Sequence, residues 1–154
     1  MEQKVKLHKV IIALGTNLED KELNLKNAIH LIKSKVGEVS KVSSIFKNSA
    51  VGFESENEFF NACLICETEL NPEQVLTELQ EIEKILGRIK TKESYEDRVI
   101  DLDIIFYEDL IIKSKKLQIP HPNYHERDFV LVPMLELSDF KDPRTAINIS
   151  QLVR

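Results

Sequence analysis

Cysteine, glycine and tryptophan are scarce in this sequence, and the small numbers of cysteine and glycine each exclude a class of site. The 154 residues include two cysteines, four glycines and no tryptophan. Cys63 and Cys66 are three residues apart, so in a strand they face opposite sides and are poorly placed to bridge each other. No second cysteine pair completes a zinc site. We therefore predict two buried thiols in a reducing compartment, without a disulfide or a zinc centre.

The small number of glycines also excludes the common phosphate-binding loops. Neither a Walker A motif nor a G-x-G-x-x-G motif is present in the sequence. If this protein binds phosphate groups, it must hold them mainly with basic side chains and a metal ion rather than with a glycine-rich loop.

Positive charge is not in excess, and long apolar runs are missing. The chain has 21 Lys and Arg against 26 Asp and Glu, with a net charge of -5, which argues against nucleic-acid or anionic membrane partners. No run approaches the roughly 20 apolar residues of a membrane helix. The polar arm at residues 1–8 has no stretch of signal-peptide length. We expect a single cytoplasmic domain over residues 1–154, monomeric, with no nucleic-acid or membrane partner.

Hydrophobic periodicity predicts six main elements in the order strand, helix, strand, strand, helix, strand. The predicted strands span residues 10–14, 38–47, 59–69 and 99–107, and the predicted helices span residues 19–35 and 72–86. Asn71, Pro72 and Gln74 mark a helix start, as cap, first helical residue and partner of the cap. Two consecutive strands without a helix between them are typical of a ferredoxin-like α+β fold, an antiparallel sheet with helices on one face.

The remaining segments form a small C-terminal extension and its connections. We predict a polar, basic loop at residues 88–97 and a fixed turn at residues 120–122. Short strands are expected near residue 111 and at residues 116–119, and short helices at residues 133–137 and 149–153.

Two aspartates on one strand carry the strongest chemical signal. Asp101 and Asp103 point to the same face, about 7 Å apart along the strand. The opposite face is predicted to carry Ile100, Leu102, Ile104 and Phe106. Paired carboxylates repel each other, and a hard cation such as Mg²⁺ relieves that cost. A solvated strand face is the alternative, but Ile105 and Tyr107 are predicted to continue this face, so it is not simply polar.

Four basic residues lie just ahead of the aspartates. They are Arg88, Lys90, Lys92 and Arg98. In an acidic protein, such a cluster beside paired carboxylates suggests a clamp for a triphosphate. A solvated loop is the alternative, and the cluster by itself does not choose between the two.

Two further segments have the composition of ligand contacts. Phe59 and Asn61 share a strand face, and a ring beside an amide suits a flat, nitrogen-rich heterocycle. The alternative for Phe59 is an ordinary place in the core. Residues 120–129 hold two histidines, one arginine and two aromatic residues in a turn-rich stretch, which makes them plausible ligand contacts. A zinc site there would need further ligands that the sequence does not identify.

Together these segments resemble the 6-hydroxymethyl-7,8-dihydropterin pyrophosphokinase family of folate biosynthesis. The likeness runs from Ala13-Leu14-Gly15-Thr16-Asn17-Leu18 to Val132-Pro133. Between them, the motifs in the family's order and spacing are Gly87-Arg88, Arg98-x-x-Asp101-Leu102-Asp103-Ile104, and Pro120-His121 with Arg127-x-Phe129. The resemblance implies a compact α+β fold and a reaction in which ATP gives its terminal pyrophosphoryl group to the pterin hydroxymethyl oxygen, releasing AMP.

The resemblance also implies roles for individual residues. Two Mg²⁺ ions would bind to Asp101 and Asp103, with ATP as the co-substrate. The other implied catalytic residues are Arg88, Lys90 and Arg98. The residues implied to lie along ATP are Gln80, Glu83, Lys116, His121 and Arg127. The residues implied to surround the pterin are Asn48, Val51, Phe59, Asn61, Tyr95 and Phe129.

Some positions depart from the family pattern. Residues 94–97 replace a common basic-Trp-Gly-Pro stretch, so Ser94 supplies no positive charge, and Lys92 is the candidate replacement. Tyr95 would cover the pterin in place of tryptophan. Lys90 replaces a frequent arginine and loses its bidentate phosphate binding. Residues 48–50 replace Thr-Pro-Pro. These changes bear on ATP affinity and loop closure more than on the reaction.

Two other functions fit part of this pattern. Magnesium-dependent nucleotidyltransferases also use paired strand aspartates, but they usually have a Gly-Ser turn and a helix upstream, which we do not find near Asp101. A non-enzymatic, ferredoxin-like ligand-binding module would explain the element order but not the basic cluster. Release of AMP rather than pyrophosphate distinguishes the pyrophosphokinase from the nucleotidyltransferase.

Overall fold

A computed structural model describes residues 6–18, 20–48, 58–90 and 96–153, with residues 88–90 and 96–98 described by their backbone alone. The helices are α1 (Lys21–Lys35), α2 (Pro72–Leu86) and α3 (Asp128–Leu137), with 3-10 turns at Tyr124–Glu126 and Ile149–Leu152. The strands are β1 (His8–Thr16), β2 (Glu38–Val42), β3 (Phe46–Asn48), β4 (Phe59–Thr68), β5 (Arg88–Lys90), β6 (Glu96–Arg98), β7 (Asp101–Tyr107), β8 (Ile112–Lys113) and β9 (Gln118–Ile119).

Five strands form one antiparallel sheet, in the order β2-β4-β1-β7, with β3 also paired to β4. β1 is central, and every one of its residues has a partner on β4. On its other side β1 pairs with β7, where Asp103 lies opposite Ala13 and Asp101 opposite Gly15. The order of the sheet confirms the predicted α+β class.

Helices cover both faces of this sheet, whereas the sequence pattern predicted helices on one face. α1 and α2 pack on the face that carries Val10, Ile12 and Leu64. α3 packs on the opposite face, against Ile11 and Cys63. β1 and β4 are apolar at nearly every position because neither face of the sheet centre is exposed to water.

Local capping signals set the starts of the first two helices. The side chain of Asp20 accepts a hydrogen bond from the backbone N–H of Leu23 at 3.2 Å. At α2, Asn71 accepts from the N–H of Gln74 at 2.8 Å, and Gln74 accepts from the N–H of Asn71 at 2.9 Å. This reciprocal pair satisfies two backbone donors that a helix start leaves open. The predicted capping box of α2 is therefore confirmed.

A β-bulge corrects the predicted faces at the end of β7. Ile12 lies opposite Ile104, but Ile11 lies opposite Phe106, so Ile105 is an extra residue in the ladder. Ile105 and Phe106 therefore both join the core under α3, and Tyr107 joins the core under α1 and α2. The predictions that Phe106 shares a face with Ile104 and that Tyr107 continues the aspartate face are wrong, because strict alternation fails at a bulge.

Two other predicted segments differ in detail from the structure. The predicted strand at residues 38–47 is divided into β2 and β3, where the Ser43 hydroxyl accepts from the N–H of Cys63 at 2.9 Å. The predicted basic loop at residues 88–97 includes paired strands, because β5 and β6 form a hairpin that sets Arg88 opposite Arg98. Residues 91–95 lie outside the described residues.

The C-terminal part contains more helix than the sequence predicted. α3 begins at Asp128, five residues before the predicted start at Pro133. The predicted strands near residues 111 and 116–119 form the separate hairpin β8–β9. Of the predicted N-terminal arm, residues 1–5 lie outside the described residues, and His8 already belongs to β1.

Both cysteines are free and buried, as predicted. Burial raises the pKa of each thiol to about 12, so both stay protonated and unreactive at neutral pH. Within the described residues, none of the helices has the length and apolar character required to cross a membrane.

Candidate active site

The two aspartates stand at the start of β7, next to the central strand. Both side chains are exposed, and both line a cavity of about 460 Å³ between the sheet and the start of α3. Asp101 is paired with Gly15 and Asp103 with Ala13, so small residues of β1 leave room above the carboxylates. The structure therefore places both aspartates on one open face of the sheet, as predicted.

The donor set of this cavity fits Mg²⁺. Asp101 and Asp103 offer carboxylate oxygens, which are the ligands that this hard cation prefers. Among the described residues, no group of three or more His, Cys, Asp or Glu side chains is gathered tightly enough to hold a metal by itself. Two carboxylates would fill only part of the coordination shell of Mg²⁺. This ion usually keeps several waters and also binds substrate phosphates.

An aromatic and amide-lined region shares the cavity with the aspartates. Phe59, Asn61 and Asn48 line it from β4 and β3, and Phe129 lines it from the first turn of α3. The side-chain amide of Asn61 donates to Oδ1 of Asn48 at 2.5 Å. A flat ligand placed here would meet rings and amides on one side and carboxylates on the other.

Some of the residues that the resemblance placed along bound ATP line two adjoining grooves. Gln80 and Lys116 line a cavity of about 720 Å³ between α2 and the β8–β9 hairpin. Lys116 also lines a groove of about 350 Å³, which contains His121 and Asp103. Because Asp103 borders both this groove and the cavity of about 460 Å³, the aspartate strand separates the two regions.

His121 and Arg127 bring polar groups to the junction of these regions. Arg127 lines the larger aspartate cavity, and its guanidinium carbon lies 5.9 Å from the centre of the Phe129 ring. Burial lowers the pKa of His121, the nearby Asp103 raises it, and Arg127 and Arg144 lower it, with a net decrease. His121 is therefore held mainly neutral at pH 7, as a polar rather than a charged contact.

Glu83, which the resemblance placed along ATP, is buried beneath β7. The residue is 4% exposed, and its carboxylate accepts a hydrogen bond from the backbone N–H of Leu102 at 3.0 Å. Leu102 lies between the two aspartates. This hydrogen bond holds β7 at the residue between the aspartates, and a contact of Glu83 with ATP stays a prediction.

Several of the predicted site residues have side chains outside the described part of the structure. Val51, Lys92 and Tyr95 lie outside the described residues. Arg88, Lys90 and Arg98 are described by backbone alone, in the β5–β6 hairpin. The backbone N–H of Val99 donates to the carbonyl of Gly87 at 3.1 Å, which joins this hairpin to the start of β7.

Residues at the end of β1 were missed as contributors to the site. Gly15 lines the cavity. Thr16 donates from its hydroxyl to the carbonyl of Val99 at 2.5 Å, and Asn24 donates to the hydroxyl of Thr16 at 3.3 Å. These contacts tie β1 and α1 to the entry of the aspartate strand. The sequence signal was Gly15-Thr16-Asn17, which belongs to the first motif of the family resemblance but was given no role in the site.

A buried polar cluster anchors the segment that carries His121 and Arg127. The hydroxyl of Tyr124 donates to Oδ2 of Asp142 at 2.6 Å, and Arg144 donates to the same carboxylate at 2.8 Å. Tyr124 and Asp142 are 0% and 2% exposed. Burial by itself would raise the pKa of Asp142, but hydrogen bonds from Arg144 and Tyr124 outweigh it and hold that pKa below its usual range.

The cluster of Tyr124, Asp142 and Arg144 is expected to make the free energy of unfolding dependent on pH. Because the folded-state pKa of Asp142 is depressed, its stabilisation is present above the unfolded-state pKa of about 3.9 and is lost as the pH falls through the folded-state value. Asp142→Asn should lower the free energy of unfolding at pH 7 by about 2–3 kcal/mol. Urea unfolding of both proteins from pH 7 to pH 3 should show the difference shrinking, and a constant difference would contradict this assignment.

Solved structures with the same architecture identify the fold. A Plasmodium falciparum HPPK-DHPS triple mutant with SDX-DHP superposes with a TM-score of 0.75 and 17% identity, over 97% of this chain and 44% of that chain. An HPPK-DHPS in complex with substrates gives a TM-score of 0.76 and 15% identity, over 95% of this chain and 43% of that chain. At this identity the likeness establishes the fold, and this chain spans less than half the length of either structure.

Sequence comparison then gives the family. The model of 7,8-dihydro-6-hydroxymethylpterin-pyrophosphokinase (HPPK) matches residues 11–139. The Aquifex aeolicus 2-amino-4-hydroxy-6-hydroxymethyldihydropteridine pyrophosphokinase is 35% identical over 83% of this chain and 79% of its own length. The Bacillus subtilis enzyme of that name is 39% identical over 82% of this chain and 75% of its own length. The chain belongs to the HPPK family, which confirms the resemblance seen in the sequence.

A longer relative shares this region within a larger protein. The Pneumocystis carinii folic acid synthesis protein fol1 is 42% identical over 92% of this chain, which spans 19% of the fol1 length. The similarity therefore covers one part of fol1 and most of each shorter relative.

Proposed function

We propose that this protein transfers the terminal pyrophosphoryl group of ATP to the hydroxymethyl oxygen of 6-hydroxymethyl-7,8-dihydropterin in folate biosynthesis. The hydroxymethyl oxygen forms a bond to the β-phosphorus of ATP, and the bond between that phosphorus and the α,β-bridging oxygen breaks. AMP leaves with the bridging oxygen, and the hydroxyl proton passes to solvent. The observation that carries the proposal is that paired carboxylates and the Phe59–Asn61–Phe129 group line one cavity in an HPPK-family chain.

The acceptor is proposed to bind where the rings and amides line the cavity. Phe59 and Phe129 would stack on the pterin from the sheet and from α3. Asn61, which is 4% exposed, would hydrogen-bond the pterin edge. Asn48 would support Asn61 through the 2.5 Å contact, and we assign Val51 and Tyr95 to the same pocket from the family resemblance.

The nucleotide is proposed to lie along the grooves beside Asp103. Gln80, Lys116 and His121 line these grooves, and Arg127 lies where the phosphates would approach the acceptor. Asp101 and Asp103 would hold two Mg²⁺ ions, which neutralise phosphate charge as the transfer proceeds. The positive side chains of Lys116 and Arg127 would stabilise the same negative charge on the phosphates.

The remaining catalytic roles are proposed from sequence position. Arg88, Lys90 and Arg98 lie in the β5–β6 hairpin that leads into β7. Arg98 precedes Asp101 by three residues, and from the family resemblance we assign its guanidinium to the developing phosphate charge. We further propose two Mg²⁺ ions, a monomer with one domain over residues 1–154, and a cytoplasmic location.

Product analysis tests the proposed reaction. The protein is incubated with Mg²⁺, ATP and 6-hydroxymethyl-7,8-dihydropterin, and AMP, pyrophosphate and pterin diphosphate are separated by ion-exchange chromatography. We expect equal amounts of AMP and pterin diphosphate, with none formed when Mg²⁺ is removed by EDTA. Pyrophosphate as the product would instead support a nucleotidyltransferase. Pterin binding without turnover would support a ligand-binding module.

A further inference from the structure

Gly15 lies at the centre of the candidate site, between its two functional halves. On the central strand it pairs with Asn61 of β4 on one side and with Asp101 of β7 on the other. All three residues line the cavity of about 460 Å³. A change at this one position could therefore affect the amide side, the carboxylate side or both.

Space, rather than backbone conformation, makes glycine necessary here. Gly87 has a φ of 119°, in the region that favours glycine, but the backbone at Gly15 does not lie in that region. A Cβ atom at Gly15 would lie 2.9 Å from Oδ1 of Asn61, which is closer than carbon and oxygen atoms pack. The side-chain amide of Asn61 therefore rests directly over Gly15.

Asn61 cannot easily move away from such a Cβ atom. Its amide nitrogen donates to Oδ1 of Asn48 at 2.5 Å and to the carbonyl of Phe46 at 3.5 Å. Its side chain is buried at the base of the cavity, with 4% of the residue exposed. Displacement would weaken these contacts and leave polar atoms of a buried amide without partners.

The contact is also selective for the amide side of the site. Among the described residues other than Gly15 and its chain neighbours Leu14 and Thr16, Oδ1 of Asn61 is the one atom within 4 Å of a Cβ atom at Gly15. Neither carboxylate oxygen of Asp101 is within that distance, although Asp101 pairs with Gly15 across the ladder. A methyl group at residue 15 would therefore disturb Asn61 and spare the metal ligands.

We propose that Gly15 is a positioning residue that seats the amide of Asn61 for binding the acceptor. Its missing side chain lets Asn61 lie flat against the central strand while Asn48 holds the amide nitrogen. A residue with a Cβ atom tilts the amide and weakens acceptor binding, with ATP binding and metal-dependent chemistry retained. This inference rests on the proposed function, because it takes the pterin as the ligand of Asn61.

The test measures pterin affinity and kinetics in Gly15→Ala. We expect the dissociation constant and the KM of the pterin to rise about tenfold, with the KM of ATP unchanged and kcat at saturating pterin within about threefold. Gly37→Ala is the matched control, because its Cβ atom would meet the carbonyl oxygen of Glu67 at 2.2 Å, at the far end of β4. That variant should lose stability without a change in pterin affinity.

A double-mutant cycle shows whether Gly15 acts through Asn61. In Asn61→Ala the atom that the Cβ would meet is gone, so adding Gly15→Ala should change pterin affinity no further. An equal loss in both backgrounds would overturn the proposal, because the methyl group would then obstruct the pterin directly. A rise in the KM of ATP alone would also overturn it.

Stability and the wild-type protein provide the remaining checks. If Gly15→Ala is too unstable to assay, the double variant should recover the melting temperature of Asn61→Ala, and failure to do so would contradict the predicted contact. Wild-type protein that neither binds the pterin nor forms AMP would refute the proposed function. Active wild-type protein with an unchanged Gly15→Ala variant would refute the positioning role alone.

Discussion

Asp103→Asn is expected to lower kcat by about a thousandfold or more, because it removes a charged oxygen ligand from the metal site. Asparagine keeps the shape of aspartate, so the exposed end of β7 should keep its pairing with Ala13. Asp101→Asn should have a similar effect. In Asp103→Asn, removing one of two neighbouring like charges should leave the free energy of unfolding unchanged or slightly higher. Both kcat and the affinity for Mn²⁺, a paramagnetic analogue of Mg²⁺, should fall together.

Asp109→Asn is a suitable control for these variants. Asp109 is an exposed aspartate in the turn after β7, and it lies in a groove with Lys9 and Phe140 rather than beside Gly15. Its replacement removes the same charge and should leave turnover and Mn²⁺ binding unchanged. Near-normal turnover in both Asp101→Asn and Asp103→Asn would refute the metal assignment.

Phe129→Ala is expected to raise the KM of the pterin by about 10- to 100-fold, the range of a lost stacking contact with a flat heterocycle. The ring stands in the first turn of α3 and lines the same cavity as Phe59. kcat at saturating pterin should fall less, because the carboxylates are not altered. Phe129→Leu should retain part of the affinity through apolar contact. Pterin titration and initial-rate kinetics measure these effects.

A neighbouring residue of α3 provides the control for Phe129. Val132 lies one helical turn further along, is 41% exposed, and does not line the cavity. Val132→Ala should leave the KM of the pterin unchanged. Melting temperatures should be compared for both variants, because Phe129 also packs against the core under α3. An unchanged KM in Phe129→Ala would place the pterin elsewhere.

Much of the fold followed from local patterns. Asn71 and Gln74 form the predicted capping box, and Gly87 follows the last residue of α2. Such signals are readable because a cap involves residues three or four positions apart. The extent of α3 was less predictable: it begins five residues before Pro133 because Val130 and Leu131 pack on the sheet, and that contact is not visible in local propensity.

The residues of the candidate site also fall into those that local patterns predicted and those that they did not. The carboxylates at Asp101 and Asp103 and the Phe59–Asn61 pair were identified by residue type and by strand alternation. Alternation failed at Phe106, because a bulge depends on how β7 meets β1. The role of Gly15 was not predicted, because glycine has no side chain to signal one and its importance follows from the position of Asn61, 46 residues away.

The sequence by itself determined the α+β class, the starts of the first two helices and the residue types that carry chemistry, because periodicity and capping depend on neighbours along the chain. Only the tertiary structure decided that α3 covers the second face of the sheet and that Phe129 joins Asn61 and Asp103 around one cavity. It also decided that Glu83 is buried beneath β7. These relations depend on strand order and register, which bring together segments that local patterns cannot connect.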